Sequence, residues 1–246
     1  MKIAIIGYGQ MGKFVESLAA ANDIEVVAII DPKLNNEISA ETISEADVCI
    51  DFTLPSTAVD NAEKIAKLGK NLVIGTTGWL SELPKIREIA TENKVGIIYG
   101  SNFSVGMNTF FHIVENAAKL ANSLDEYDLF GYELHHNKKQ DSPSGTAKTL
   151  TDIVLKNINR KEQAQFDKLD RKIQENEFHF ASIRSGNIPG THVIGFDSTA
   201  DTIELKHTAR NREGFAIGAL KAANWINNKQ GIYDFKNIFF EMLMAK

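Results

Sequence analysis

A chain of 246 residues with 43% hydrophobic and 24% charged side chains is not disordered, collagenous or coiled-coil in composition, and is long enough for two small cores. Lys plus Arg number 27 against 32 Asp plus Glu, so the net charge of −5 supplies no positive field for displacing counterions from nucleic acid. The single cysteine, Cys49, forms no internal disulfide and no run reaches the roughly 18 apolar residues of a membrane span, which makes a cytoplasmic setting the expectation.

The opening apolar run, Ile3–Ile6, is too short for a signal peptide and ends at Gly7. Similar runs follow at Ile24–Ile30, Val48–Phe52, Leu72–Ile74 and Val95–Tyr99, as in strands covered on both faces. Between them lie helical faces: Met11, Phe14, Val15, Leu18 and Ala19, then Val59, Ala62, Ile65 and Ala66. A third face, Leu83, Ile86 and Ala90, has Ser81 as its predicted N-cap. Alternation of this kind predicts a doubly wound parallel sheet.

Beyond Phe103 the pattern changes. A helix with Phe110, Ile113, Val114, Ala117 and Ala121 on its inner face leads to a strand at Tyr127–His135. Strands at Phe178–Arg184, His192–Ser198 and Thr202–Ala209 follow without intervening helices, which predicts an antiparallel or mixed sheet. The charged stretch Arg160–Glu177 reads as a loop or a solvated helix. Helical spacing returns at Ala216, Ala219, Leu220 and Ala223 and again over Phe235–Met244, and these closing helices are expected to pack on the first domain.

The segment Gly7-Tyr8-Gly9-Gln10-Met11-Gly12 is a G-x-G-x-x-G between a predicted strand and helix. Gly7 permits the tight turn, Gly9 lets backbone approach a pyrophosphate, and Gly12 lets helix and strand close up. Asp31 ends the second strand about 20 residues on, where a carboxylate accepts the ribose hydroxyls of NAD and repels a 2′-phosphate. Lys33 partly offsets that repulsion; the alternative is that Asp31 merely caps a strand end. Gly75-Thr76-Thr77-Gly78 and Gly100-Ser101-Asn102-Phe103 end further parallel strands, on the edge where open sheets bind ligands. Each loop alone is an ordinary turn; together with the glycine loop they read as the wall of a dinucleotide site for NADH, NADPH or both. The expected architecture is α/β: a Rossmann-type parallel-sheet domain of residues 1–103 and 213–246, and a smaller α+β domain of residues 104–212.

The second domain carries Glu133-Leu134-His135-His136-Asn137-Lys138-Lys139-Gln140-Asp141-Ser142-Pro143-Ser144-Gly145-Thr146. Ser144, Gly145 and Thr146 fall at a helix N-terminus, where free N–H groups and the helix dipole favour an anion. Histidines and a lysine just before it offer positive charge and proton donors, as reduction of an unsaturated carboxylate-bearing substrate requires. Adjacent strand residues point to opposite faces, so His135 and His136 do not form a zinc pair, and no metal is expected. A bare turn with an N-cap and a solvated lysine pair is the alternative.

This stretch fits the pattern E-x-H-H-x-x-K-x-D-x-P-S-G-T, by which the chain resembles the dihydrodipicolinate reductase family. The resemblance extends through Asp51-Phe52-Thr53, Asn102-Phe103-Ser104-Val105-Gly106, Arg184-Ser185-Gly186, Gly190-Thr191-His192 and His207 to Arg212. It implies that His135 is the catalytic histidine and Lys139 the proton donor. It further implies that His136, Lys139, Ser144, Gly145, Thr146 and Arg212 bind a small dicarboxylate, within a homotetramer. The implied reaction is nicotinamide-dependent reduction of a cyclic imine dicarboxylate on the diaminopimelate route to lysine. The chain departs from the family in a glycine loop one residue shorter and in Asp31-Pro32-Lys33. Two other readings are a dinucleotide-sensing regulator and a different nicotinamide enzyme of amino-acid metabolism. A semialdehyde dehydrogenase needs a nucleophilic cysteine, whereas Cys49 sits in an apolar strand and reads as core.

Overall fold

The computed structural model describes residues 1–244. In chain order its larger elements are β1 (Lys2–Ile6), α1 (Gln10–Ala19), β2 (Glu25–Ile30), β3 (Val48–Asp51), α2 (Pro55–Lys67), β4 (Asn71–Ile74), α3 (Leu83–Asn93), β5 (Gly96–Tyr99) and α4 (Val105–Ala121). Then come β6 (Asp128–His135), α5 (Gly145–Asn157), β7 (Gln163–Gln165), β8 (Glu177–Arg184), β9 (Thr191–Asp197), β10 (Thr202–Thr208), α6 (Glu213–Ile226), β11 (Gly231–Asp234) and α7 (Phe235–Met244). The residues divide into two compact units: Met1–Asn108 with the chain from Arg212 on, and Thr109–Asn211.

The first unit holds a six-stranded parallel sheet ordered β11-β5-β4-β3-β1-β2. Its strands alternate between two apolar layers. Ile3, Ile5, Val48, Ile50, Val73 and Ile98 pack with Val15 and Ala19 of α1, Ala219 and Ala223 of α6 and Phe235 of α7. Ala4, Ile6, Cys49, Leu72, Ile74 and Ile97 pack with Ala62 and Ile65 of α2 and Ile86 and Ala90 of α3. Helices on both faces explain why these strands read as unbroken apolar runs. Cys49 is fully buried and burial pushes its thiol up to about 12, so it is packing and not a nucleophile.

Three local expectations need correction. Ser81 does not cap α3: Leu80–Glu82 is a short 3-10 turn, and the residue before α3 is Glu82, which makes no side-chain cap. The buried stripe of α4 runs through Met107, Phe110, Phe111, Val114, Ala118 and Ala121, leaving Ile113 48% exposed; Phe111 and Ala118, two turns apart, rotate the face away from Ile113. Strand β11 was not foreseen, because four residues opening on Gly231 (φ 110) give too short a pattern to read.

The second unit holds a five-stranded mixed sheet ordered β10-β9-β6-β8-β7. Its β10/β9 and β9/β6 pairs are antiparallel, and β6/β8 and β8/β7 are parallel. The charged stretch 160–177 is a loop, as one of the two readings expects, and not a helix. It contributes β7 and folds around two buried charges. Lys161, 5% exposed, donates from Nζ to the carbonyls of Glu175 and Glu177 and pairs with Asp128 at 2.6 Å. Glu177, 1% exposed, accepts from Arg171, Gln165 and the Gln174 N–H. Charge density that looks like solvent-facing surface in sequence here supplies the hydrogen bonds that the segment lacks in regular structure.

Candidate active site

In the first unit the chain turns from β1 into α1 through the glycine loop. Gly7 has φ 90, and a Cβ there would lie 2.5 Å from the Phe52 carbonyl oxygen; a Cβ on Gly12 would strike the Gly7 carbonyl. Gly9 is different: nothing lies within 4 Å of where its Cβ would be, because it faces an open cleft. That cleft, about 380 Å³, is lined by Gly9, Gln10, Met11, Thr53, Thr76, Thr77 and Arg212 among others. Two glycines are thus required by packing and one by access, the division of labour that a dinucleotide phosphate site demands.

Asp31 accepts the Tyr8 N–H at 2.7 Å and the Lys33 N–H at 2.9 Å. These two backbone bonds hold its carboxyl below the usual range. Tyr8 donates its hydroxyl to Glu16, and Lys33 is exposed. An ionised, oriented carboxylate with lone pairs to spare at the end of β2 fits a ribose diol. Together with the open edge of Gly9, it fits a dinucleotide.

The loops after β3 and β4 are tied together by Asp51, which is 1% exposed. Its Oδ1 accepts from Thr53 N–H (2.9 Å), Thr53 Oγ1 (2.7 Å) and Thr76 Oγ1 (2.9 Å), while Oδ2 accepts from Asn61 Nδ2 (2.9 Å). Burial raises its pKa and these donors oppose the rise. The Thr76 hydroxyl is therefore held by Asp51, and Thr76 lines the cleft beside Gly75 and Thr77. In the third loop, Ser101 is exposed and Asn102 half-buried, but the Phe103 side chain is core, 2% exposed and packed on Phe235 with ring centroids 4.5 Å apart and planes tilted by 43°. Only its backbone remains for a ligand. Arg212 lies on this same cleft.

In the second unit, side-chain alternation along β6 sets Glu133 and His135 on one face. Register places Ser182 and Arg184 of β8 opposite them on one side and His192 of β9 opposite Glu133 on the other. Glu133 is fully buried. Its Oε1 accepts from Arg184 Nη2 (2.7 Å), Ser182 Oγ (2.9 Å) and the Ser144 N–H (3.0 Å). Its Oε2 accepts from Ser144 Oγ and lies 3.5 Å from His135 Nε2 and 3.3 Å from His192 Nε2. Burial alone would raise the Glu133 pKa, but bonds from His135, His192, Ser144 and Arg184 outweigh it and hold the carboxyl far below its ordinary value. Burial also lowers His192, which is therefore neutral near pH 7.

Glu133, His135 and His192 are the one group among the described residues with three metal-capable atoms within reach of one another. His192 supplies the third donor that the sequence reading did not see. The carboxylate is, however, already neutralised by Arg184 and filled by serine, backbone and imidazole donors, which is the arrangement of a hydrogen-bonded clamp.

Lys139 follows in the loop after β6 and pairs with Asp141 at 2.7 Å. Ser144 caps α5 by accepting the Ala147 N–H, while its own N–H and hydroxyl go to Glu133. Ser144 is thus turned inward, and the free anion-binding groups of α5 are the N–H groups of Gly145 and Thr146. Gly145 has open space on its Cβ side. His136 is half-buried and its Nδ1 has no partner. Asp51, Glu133, Ser182, Arg184 and His192 were absent from the predicted site. Glu133 was legible as the residue two before His135; the others depend on strand register and loop contacts.

Comparison with known proteins matches residues 1–103 to the family model described as "Dihydrodipicolinate reductase, N-terminus" and residues 106–239 to "Dihydrodipicolinate reductase, C-terminus". The chain is 38% identical over 242 residues to a 4-hydroxy-tetrahydrodipicolinate reductase of Christiangramia forsetii, covering 98% of this chain and 99% of that one. It is 36% identical to the protein of that name from Methanosarcina barkeri, covering 97% and 98%. The dipicolinate-bound dihydrodipicolinate reductase of Paenisporosarcina sp. TG-14 shares the fold, with a TM-score of 0.75 at 22% identity over 97% of this chain and 99% of that one.

Proposed function

The chain belongs to the dihydrodipicolinate reductase family, and from that premise we propose how its residues carry the reaction. It is an NAD(P)H-dependent oxidoreductase of the diaminopimelate route to lysine. The substrate we assign is 4-hydroxy-tetrahydrodipicolinate, reduced to tetrahydrodipicolinate with loss of its hydroxyl as water. Bound NADH or NADPH supplies the hydride.

The glycine loop, Asp31, Lys33 and the loops at Gly75–Thr77 and Gly100–Phe103 hold the dinucleotide. The Gly145 and Thr146 N–H groups and the Thr146 hydroxyl bind one substrate carboxylate. His136, Lys139 and Arg212 contribute further polar contacts, and Ser144 acts through the helix cap it forms. Lys139 gives the proton that completes hydride addition, and His135 lies against the reacting ring. The observation that carries this reading is the run Glu133–Thr146, which supplies an imidazole anchored on a buried carboxylate, an ammonium and a helix N-terminus with free N–H groups. Among the described residues no helix is long and apolar enough to cross a membrane; the compartment we assign is the cytoplasm. Exposed Ile203 on the edge strand β10 offers a surface for a further copy of the chain, and the homotetramer we assign rests on the resemblance to the family.

The test is oxidation of NADH and NADPH with substrate made in situ from pyruvate, aspartate semialdehyde and the synthase that joins them. Oxidation that depends on the synthase is expected, with dipicolinate competing. Lys139→Ala and His135→Ala should each abolish most turnover while dinucleotide binding persists. Folded protein that binds NADH but oxidises neither cofactor would overturn the assignment.

A further inference from the structure

The polar row beneath His135 does more than fill the sheet. Ser182 on β8, Glu133 on β6, His192 on β9 and His207 on β10 are successive cross-strand partners at one register. An ionised carboxylate only accepts hydrogen bonds. An imidazole nitrogen bonded to Glu133 carries the hydrogen, and the nitrogens nearest its Oε2 are Nε2 of His135 at 3.5 Å and Nε2 of His192 at 3.3 Å. The two Nε2 atoms also lie 3.4 Å apart, at hydrogen-bond distance from one another, and Ser144 Oγ lies 3.4 Å from His192 Nε2, so a ring-to-ring bond is the arrangement that competes with the carboxylate for these hydrogens. On His192 the remaining Nδ1 is buried with no partner, as suits a bare nitrogen on a neutral ring. On His135, Nδ1 is not an enclosed orphan atom of this kind; it lies on the ring edge beside Gly190, which has no side chain to cover it.

We propose that Glu133 is a positioning residue for the reduction: it fixes His135 and His192 as Nε2–H tautomers, presents Nδ1 of His135 to the substrate, and supplies the counter-charge when that edge takes up a proton. The role rests on His135 acting in catalysis as assigned above. The logic is that of a carboxylate behind a working histidine, in which the wrong tautomer costs turnover even when the geometry is kept. The groups that face His135 are consistent with it. Arg184 neutralises Glu133 from β8, His192 stays uncharged on β9, and Ser144 at the head of α5 is spent on the same carboxylate. The remaining nearby cation is Lys139, itself paired with Asp141.

The test is nitrogen NMR of protein labelled in its histidine rings, with signals assigned through His135→Asn and His192→Asn. Wild type is expected to show both rings protonated at Nε2. Glu133→Gln presents an amide N–H to the rings and should move both toward Nδ1–H. It should also lower kcat by about 100-fold or more while leaving the KM for the dinucleotide little changed. Ser182→Ala, which removes one donor from the far oxygen, should lower stability without altering either tautomer. Wild-type His135 protonated at Nδ1, or Glu133→Gln with near-normal kcat, would overturn the proposal. If Glu133→Gln fails to fold, the wild-type tautomers and the Ser182→Ala spectrum still decide it. Full turnover by His135→Ala would instead overturn the catalytic reading of His135, a result distinct from either spectrum.

Discussion

Gly190 lies against the His135 ring, so close that a Cβ on it would sit 2.9 Å from Cε1 and 3.3 Å from Nδ1. The residue also has φ 150, outside the range that side chains tolerate well. Gly190→Ala is therefore expected to push the imidazole off the Glu133 carboxylate. Misplacement of about 1 Å lowers turnover by roughly 100-fold, and dinucleotide affinity should stay unchanged. Steady-state kinetics beside a nucleotide fluorescence titration check this; an unaffected kcat would show that the ring has room to move.

Asp31 sets cofactor choice through charge. Asp31→Ser keeps an acceptor for the Lys33 N–H and removes the anion. The ratio of kcat/KM for NADPH over NADH should then rise by about tenfold, equivalent to roughly 1.4 kcal/mol of removed repulsion. A ratio that does not move would place the 2′-phosphate away from this side chain.

Asp51 makes a separate prediction for the first unit. Asp51→Asn turns an amide donor toward donors that now share the carboxylate, and each unsatisfied buried group costs about 1–3 kcal/mol. The loops carrying Thr53 and Thr76 should loosen and dinucleotide affinity should fall. Adding Asn61→Asp restores an acceptor opposite a donor and should recover part of the loss. Equal affinities in all three proteins, measured by fluorescence titration, would show that the cleft does not depend on this tie.

Acid stability has two components. The folded pKa of Glu177 is held down to about 2 by Arg171, against an ordinary 4.5. Its contribution is fully present above about 4.5 and is lost as pH falls toward 2. Burial lowers His192 and His207 from the ordinary 6.5, so the unfolded chain takes up their protons first and stability erodes as pH falls below that value. Urea midpoints across pH should show both phases. Arg171→Met should flatten only the lower one; an unchanged acid slope would refute the role given to this pair.

The parallel sheet was readable because both its faces are covered, which leaves an apolar run for nearly every strand. Gly7, Gly9, Gly12 and Asp31 were readable because their spacing is local. Strand β11 and β7 were not, being short and held by pairing rather than by pattern. The Glu133 clamp was only half legible. Its own spacing to His135 is written along β6, but Arg184 and His192 arrive by register across neighbouring strands, and one sequence does not state a register. The resemblance implies Ser144 as a substrate ligand, and the structure adds a contact that spacing does not announce, its hydroxyl on the carboxylate of Glu133 eleven residues earlier.

The turn between β8 and β9 thereby acquires a meaning of its own. Arg184 closes β8, Thr191 opens β9, and the six residues from Ser185 to Gly190 decide which side of the sheet His192 occupies. Lengthening that turn by one residue, if β9 slipped to match, would bring Thr191 into the place of His192 and leave Glu133 facing a hydroxyl in place of an imidazole. The length of this turn is in this way under the same constraint as the catalytic side chains. Insertions tolerated elsewhere on the surface should be excluded there.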